Sequence, residues 1–146
     1  MGNQKYPFGM TVGGMMHEVM RLLKKCASED TNIKLSMEQL GLLLAISCNK
    51  DEVILQDIAS FMNKDKSAVL RTIDSIEAKE LIKRVSDTTD RRKKYLMITK
   101  KGERVIEQYL EIELGLTTEL QKGLSDEEIA TFYKVVNHIR DNAKAR

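Results

Sequence analysis

Long apolar runs are missing from this chain of 146 residues. The longest, Leu40 to Ile46, falls far short of the roughly 20 residues that a helix needs to cross a bilayer. The opening MGNQKYPFG has no apolar stretch behind its lysine, which argues against a secretory signal. Gly2 does not complete a myristoylation motif, because Tyr6 stands where Ser or Thr is required. The expectation is a cytoplasmic protein without membrane contact. Cysteine is scarce as well. Cys26 and Cys48 have no CxxC spacing, so a disulfide framework is not supported; both read as small buried hydrophobes on helices, with a redox-sensing thiol as the alternative. His17 and His138 lie far apart with no clustered partner, so neither a metal nor another cofactor is expected. No HExxH, GxSxG or phosphate-binding glycine loop is present, and no Cys–His pair has a catalytic spacing. The chain does not read as an enzyme, and no residue is assigned a catalytic role. Proline occurs once, beside 42% hydrophobic and 32% charged residues, a balance typical of a helix-rich globular domain.

Charge is present in quantity and is unevenly placed. Between Asn63 and Arg104 there are 13 Lys or Arg against 7 Asp or Glu, whereas the whole chain nets only +2. Positive charge gathered into one stretch of a near-neutral protein favours a polyanionic partner.

Hydrophobic periodicity divides the chain into helices around a short β segment. Val12, Met15, Met16, Val19, Leu22, Leu23 and Cys26 recur at offsets of three and four, which predicts an amphipathic helix over about 10–30. Ser36 and Gln39 fit a capping box opening a buried helix to about Cys48, which Asn49-Lys50-Asp51 ends. Gln56 to Met62 reads as a short helix. Asn63-Lys64-Asp65 reads as a turn, with Asp65 the N-cap of a second helix from Lys66 to about Lys79. In that second helix Val69, Ile73 and Ile76 form the inner stripe. Ser67, Arg71, Asp74 and Ala78 lie opposite it, with Ser75 flanking them.

The period then changes to two. Leu81 to Ser86 and Tyr95 to Thr99 alternate over β-favouring residues, and the polar stretch Asp87 to Lys94 joins them as a hairpin loop. Two short helices across a tight turn, followed at once by a hairpin with a basic tip, define a winged helix-turn-helix over about 35–99. Beyond Thr99, a helix to about Gln121 ends at Gly123. Ser125 and Glu128 then cap a last helix with Ile129, Phe132, Tyr133, Val136 and Ile139 on one face.

The fold expected is therefore mainly α with a minor β part, a single domain over 1–146. The helices over about 10–30 and 100–143 have apolar faces that the winged helix has little core left to cover. Their simplest burial is in a two-fold homodimer carrying two reading heads.

Several stretches resemble the MarR family of bacterial transcription regulators. They are Leu55-Gln56-Asp57-Ile58-Ala59, Lys66-Ser67-Ala68-Val69-Leu70-Arg71, Leu81-Ile82-Lys83-Arg84, Asp90-Arg91-Arg92 and Leu96-Met97-Ile98-Thr99-Lys100-Lys101-Gly102. The resemblance implies a homodimer that binds a palindromic promoter site on double-stranded DNA, usually as a repressor. It also implies release by a small phenolic or other amphipathic ligand. Members that sense hydroperoxides carry a cysteine near the start of the first helix, where this chain has Met10, Met15, Met16 and His17.

Residue chemistry supplies the candidate site. Arg71 can pair bidentately with guanine in the major groove, Ser67 one turn earlier on the same face can reach a base or a phosphate, and Ser75 flanks them. Asn63, Lys64 and Lys66 stand at the helix start, where amides and ammonium groups favour phosphate. In the wing, Arg91 and Arg92 have the reach to enter the minor groove, and physical reasoning does not choose between them. The resemblance points to Arg92, with Asp90 bracing the loop. Lys93 and Lys94, and Thr88 and Thr89 through their hydroxyls, are placed to flank phosphates. Met16 and Met20, with His17, are the candidate ligand-pocket residues. The alternative reading is a winged helix that docks proteins without sequence-specific DNA binding.

Overall fold

A computed structural model of the chain describes residues 6–29, 33–48, 53, 54, 58 and 65–146. Along the chain these form α1 (Phe8–Glu29), α2 (Met37–Cys48), β1 (Val53–Ile54), α3 (Lys66–Ala78), β2 (Ile82–Ser86), β3 (Lys94–Ile98), α4 (Lys100–Leu120) and α5 (Asp126–Lys144). The short helix expected over Gln56 to Met62 lies outside the described residues except for Ile58, which is helical and buried. Asn63 and Lys64 lie outside them too.

Contacts divide the molecule into two units, residues 1–112 and 113–146. The core of the first gathers Leu42, Leu43 and Ile46 of α2, Ile58, Val69, Ile73 and Ile76 of α3, and Leu81, Ile82, Leu96 and Ile106. The inner stripe of α3 is thus the one its spacing marks out. A smaller cluster joins Ile33, Leu40 and Tyr109. The Ser36–Gln39 capping box is formed in both directions: the Gln39 amide donates to Ser36 Oγ at 3.1 Å and the Ser36 amide to Gln39 Oε1 at 2.9 Å.

The sheet has three strands in the order β1-β3-β2, all antiparallel. Sequence reasoning expected the hairpin and missed β1, which pairs Val53 with Leu96 and Ile54 with Tyr95. Two residues are too few to show a period of two, so only the long-range pairing reveals the strand. Arg84 faces Leu96 and Ser86 faces Lys94 across the β2–β3 ladder, leaving Asp87 to Lys93 as the loop.

The turn from α3 into β2 is a Schellman motif. The Leu81 amide donates to the Ile76 carbonyl at 3.1 Å, and the Glu80 amide to the Glu77 carbonyl at 2.8 Å. Glu80 occupies the left-handed position at φ 61°, where glycine is usual. Leu81 and Ile76 are both buried in the main core, which supplies the motif's apolar contact. The start of α4 then locks onto this turn. Thr99 donates its hydroxyl to the Glu80 carbonyl at 2.6 Å and accepts the Gly102 amide at 3.1 Å, while its own amide donates to the Leu81 carbonyl at 3.0 Å. A Cβ at Gly102 would lie 2.2 Å from that carbonyl oxygen. The threonine and glycine of Ile98-Thr99-Lys100-Lys101-Gly102 are therefore needed for this close approach.

In the second unit, Gly123 takes φ +89° after α4. Ser125 and Glu128 then form a full capping box at the start of α5. Within one chain α5 buries none of its residues, and Phe132, Tyr133, Val135, Val136 and Ile139 stay exposed. In the first unit, α1 likewise leaves Met10, Val12, Met15, Met16 and Met20 exposed and buries only Leu23 and Ala27.

Candidate nucleic-acid interface

The outward side of α3 carries Lys66, Ser67, Arg71, Asp74 and Ala78, all on the face away from the core, as its wheel requires. Asp65 occupies the N-cap position, but its carboxylate makes no cap hydrogen bond. Instead it accepts the Ser67 hydroxyl, which stands two residues on and holds the Asp65 carboxyl below its usual range. Ser67, expected to reach DNA, is thus engaged within its own turn. Ser75 departs further from expectation. It is partly buried, accepts Gln39 Nε2 of α2 at 2.9 Å and donates to the Thr72 carbonyl at 2.7 Å, so it serves helix packing instead of the outer face.

Neither Asp74 nor Ser75 holds Arg71. Asp74 is taken by Arg84 of β2, whose guanidinium meets Asp74 Oδ1 at 2.5 Å and Glu77 Oε1 at 2.7 Å. The Arg84 amide also donates to Glu77 Oε2 at 3.2 Å. These carboxylates, Asp74 foremost by its hydrogen bond, raise the guanidinium pKa above its usual value. Arg84 bolts the wing strand to α3 and draws an acidic side chain away from Arg71. Sequence reasoning missed this bolt, because Arg84 lies ten residues from Asp74 on a different element. Arg71 forms no ion pair among the described residues.

The wing tip is a built structure. Asp87 Oδ1 accepts the Thr89 amide at 2.7 Å, the Thr89 hydroxyl at 2.7 Å and the Asp90 amide at 3.1 Å. Its Oδ2 accepts the Tyr95 hydroxyl at 2.5 Å. Hydrogen bonding to the charged form, led by Tyr95, holds the Asp87 carboxyl well below the carboxylate range. Asp90 Oδ1 accepts the Arg92 amide at 3.0 Å. The Lys93 amide closes a turn on the Asp90 carbonyl, and the Asp87 amide closes the loop on the Lys93 carbonyl, each at 3.0 Å. Thr88, Arg91, Arg92, Lys93 and Lys94 are left exposed around this frame. Thr89, expected at phosphates, gives its hydroxyl to Asp87. An aspartate followed two residues later by threonine is a local turn signal that sequence reasoning passed over in favour of Asp90.

Met16, His17 and Met20 are exposed along α1. No group of three or more metal-ligating side chains occurs among the described residues. Nor is any helix among them long and apolar enough to cross a membrane.

A helix with an outward cationic face, bolted to a hairpin with four basic residues at its tip, is a winged helix. Residues 35–94 match the model of the MarR family. Over nearly its whole length the chain is also similar in fold to solved structures. Apo MarR from E. coli matches with TM-score 0.77 at 22% identity, covering 94% of this chain and 98% of that one. The transcriptional regulator PA3341 matches with TM-score 0.78 at 20% identity, covering 96% and 100%. A mutant of E. coli MarR complexed with operator DNA matches with TM-score 0.69 at 20% identity, covering 92% and 99%.

Proposed function

We propose that the protein is a homodimeric regulator of transcription that binds a palindromic operator in double-stranded DNA and represses from it. The observation that carries this reading is the pairing of two exposed cationic elements held at fixed spacing by Arg84. Arg71 and Lys66 on α3 address the major groove, with Asn63 and Lys64 before them. Arg91, Arg92, Lys93 and Lys94 address the minor groove and its phosphates. The relative solved with operator DNA supports the same use of the fold.

Two-fold assembly rests on apolar surface that one chain leaves uncovered. The faces of α1 and α5 each expose at least five large apolar side chains, far more than isolated surface residues would. A second copy covering them would set two reading heads about one helical turn of DNA apart. Met16, His17 and Met20 would then line an enclosed site for a small amphipathic ligand that modulates DNA release.

Duplex selected from a random pool, followed by titration at several salt concentrations, tests the proposal. Binding should weaken steeply with salt, and the selected site should contain an inverted repeat. A protein that captures no duplex at low salt would instead fit the role of a protein-docking module.

A further inference from the structure

We propose that Asp87 is the positioning residue of the wing, setting Arg92 in its DNA-binding place through a relay of hydrogen bonds that Tyr95 anchors. The inference rests on the DNA-binding reading above and names a residue that acts on DNA only through another.

The relay has three links. Tyr95 on β3 donates its hydroxyl to Asp87 Oδ2, which fixes the carboxylate against the sheet. The other oxygen, Oδ1, gathers the amides of Thr89 and Asp90 and the Thr89 hydroxyl. Asp90, so placed, receives the Arg92 amide on its own Oδ1. Arg92 is thus the tip arginine whose backbone the relay holds, which separates it from Arg91.

Electrostatics explains why a carboxylate is tolerated on a surface meant for a polyanion. A carboxylate has about four acceptor sites, and Asp87 accepts four hydrogen bonds, so its charge is met within the hairpin. A hairpin loop from Asp87 to Lys93 without such a frame would have to lose its conformational freedom at the moment of binding. The frame removes that cost in advance.

A double-mutant cycle on the full-length protein and its selected duplex tests this. Asp87→Ala and Arg92→Ala should each weaken binding about tenfold and lower the salt slope by about one. Together they should weaken it no more than Arg92→Ala alone, because one acts through the other. Asp87→Asn keeps an oxygen for the Thr89 and Asp90 amides and should restore most of the affinity. Tyr95→Phe should cost about threefold in the wild-type background and nothing beside Arg92→Ala. It also serves as the second variant if Asp87→Ala fails to fold. Hydrogen exchange at the Thr89, Asp90 and Arg92 amides should lose its protection in Asp87→Ala without DNA present. Additive losses, or unchanged protection of those amides, would overturn the relay. Wild-type protein that binds no duplex would overturn the DNA reading instead, and the exchange measurement would still decide whether Asp87 holds the tip.

Discussion

Glu80, Gly102 and Asp87 show how single positions carry the winged helix. Glu80 takes a left-handed backbone at φ 61° with an ordinary side chain. Its ion pair with Lys101, at 4.0 Å, is exposed and weak. Glu80→Gly is therefore expected to raise stability by up to about 1 kcal/mol, read from the urea midpoint. Gly102 is the opposite case. A Cβ there would meet backbone oxygen and not a yielding side chain, so Gly102→Ala should destabilise by about 3 kcal/mol in the same assay.

Asp87 gives a pH prediction. Its folded pKa is depressed from 3.8, so its contribution is fully present above the unfolded value and is lost as pH falls through the folded one. Carboxyl carbon shifts followed by NMR should place its midpoint well below that of ordinary aspartates. Protection of the Thr89 amide should persist to pH values where those aspartates are already protonated.

Among the elements, α3 and the β2–β3 hairpin act as one piece because Arg84 bridges them. The bridge is only one-quarter exposed on the arginine side, so it is less screened than a surface pair. Arg84→Met should lower stability by about 1–2 kcal/mol. It should also free Asp74 to compete for Arg71, so DNA affinity should fall by more than the stability loss explains. Direct titration of DNA at a temperature where the variant is fully folded checks this. The elements themselves were largely legible from spacing. The bounds of α2, α3, β2 and α4 fall within one or two residues of those read from periodicity and caps. Strand β1 was not legible, and neither was the turning of Ser75 toward α2. Both depend on which residues meet in space, and a short segment carries no periodic trace of that.

For the molecule as a whole, the decisive feature is the apolar surface that stays exposed among the described residues. Ile139 is 39% exposed and Val136 40% exposed, on a helix that buries no residue of its own. A charge placed there has little to disrupt in the single chain. Val136→Asp and Ile139→Asp together should convert the proposed dimer to a folded monomer. Sedimentation should show the halved mass, and circular dichroism an unchanged helix content. The monomer should also bind a palindromic duplex more weakly, since only one reading head is left per molecule.

The sequence by itself determined the helices, the hairpin, their order and the basic stretch that the hairpin presents. These follow from local periods, caps and charge, which neighbouring residues set among themselves. Only the tertiary structure decided which groups those residues would meet. It gave Asp74 to Arg84, Ser75 to Gln39, and the wing tip to Asp87 as well as Asp90. Such pairings depend on the crossing of a helix with a strand and on the register of a ladder. Contacts between elements distant in sequence set both.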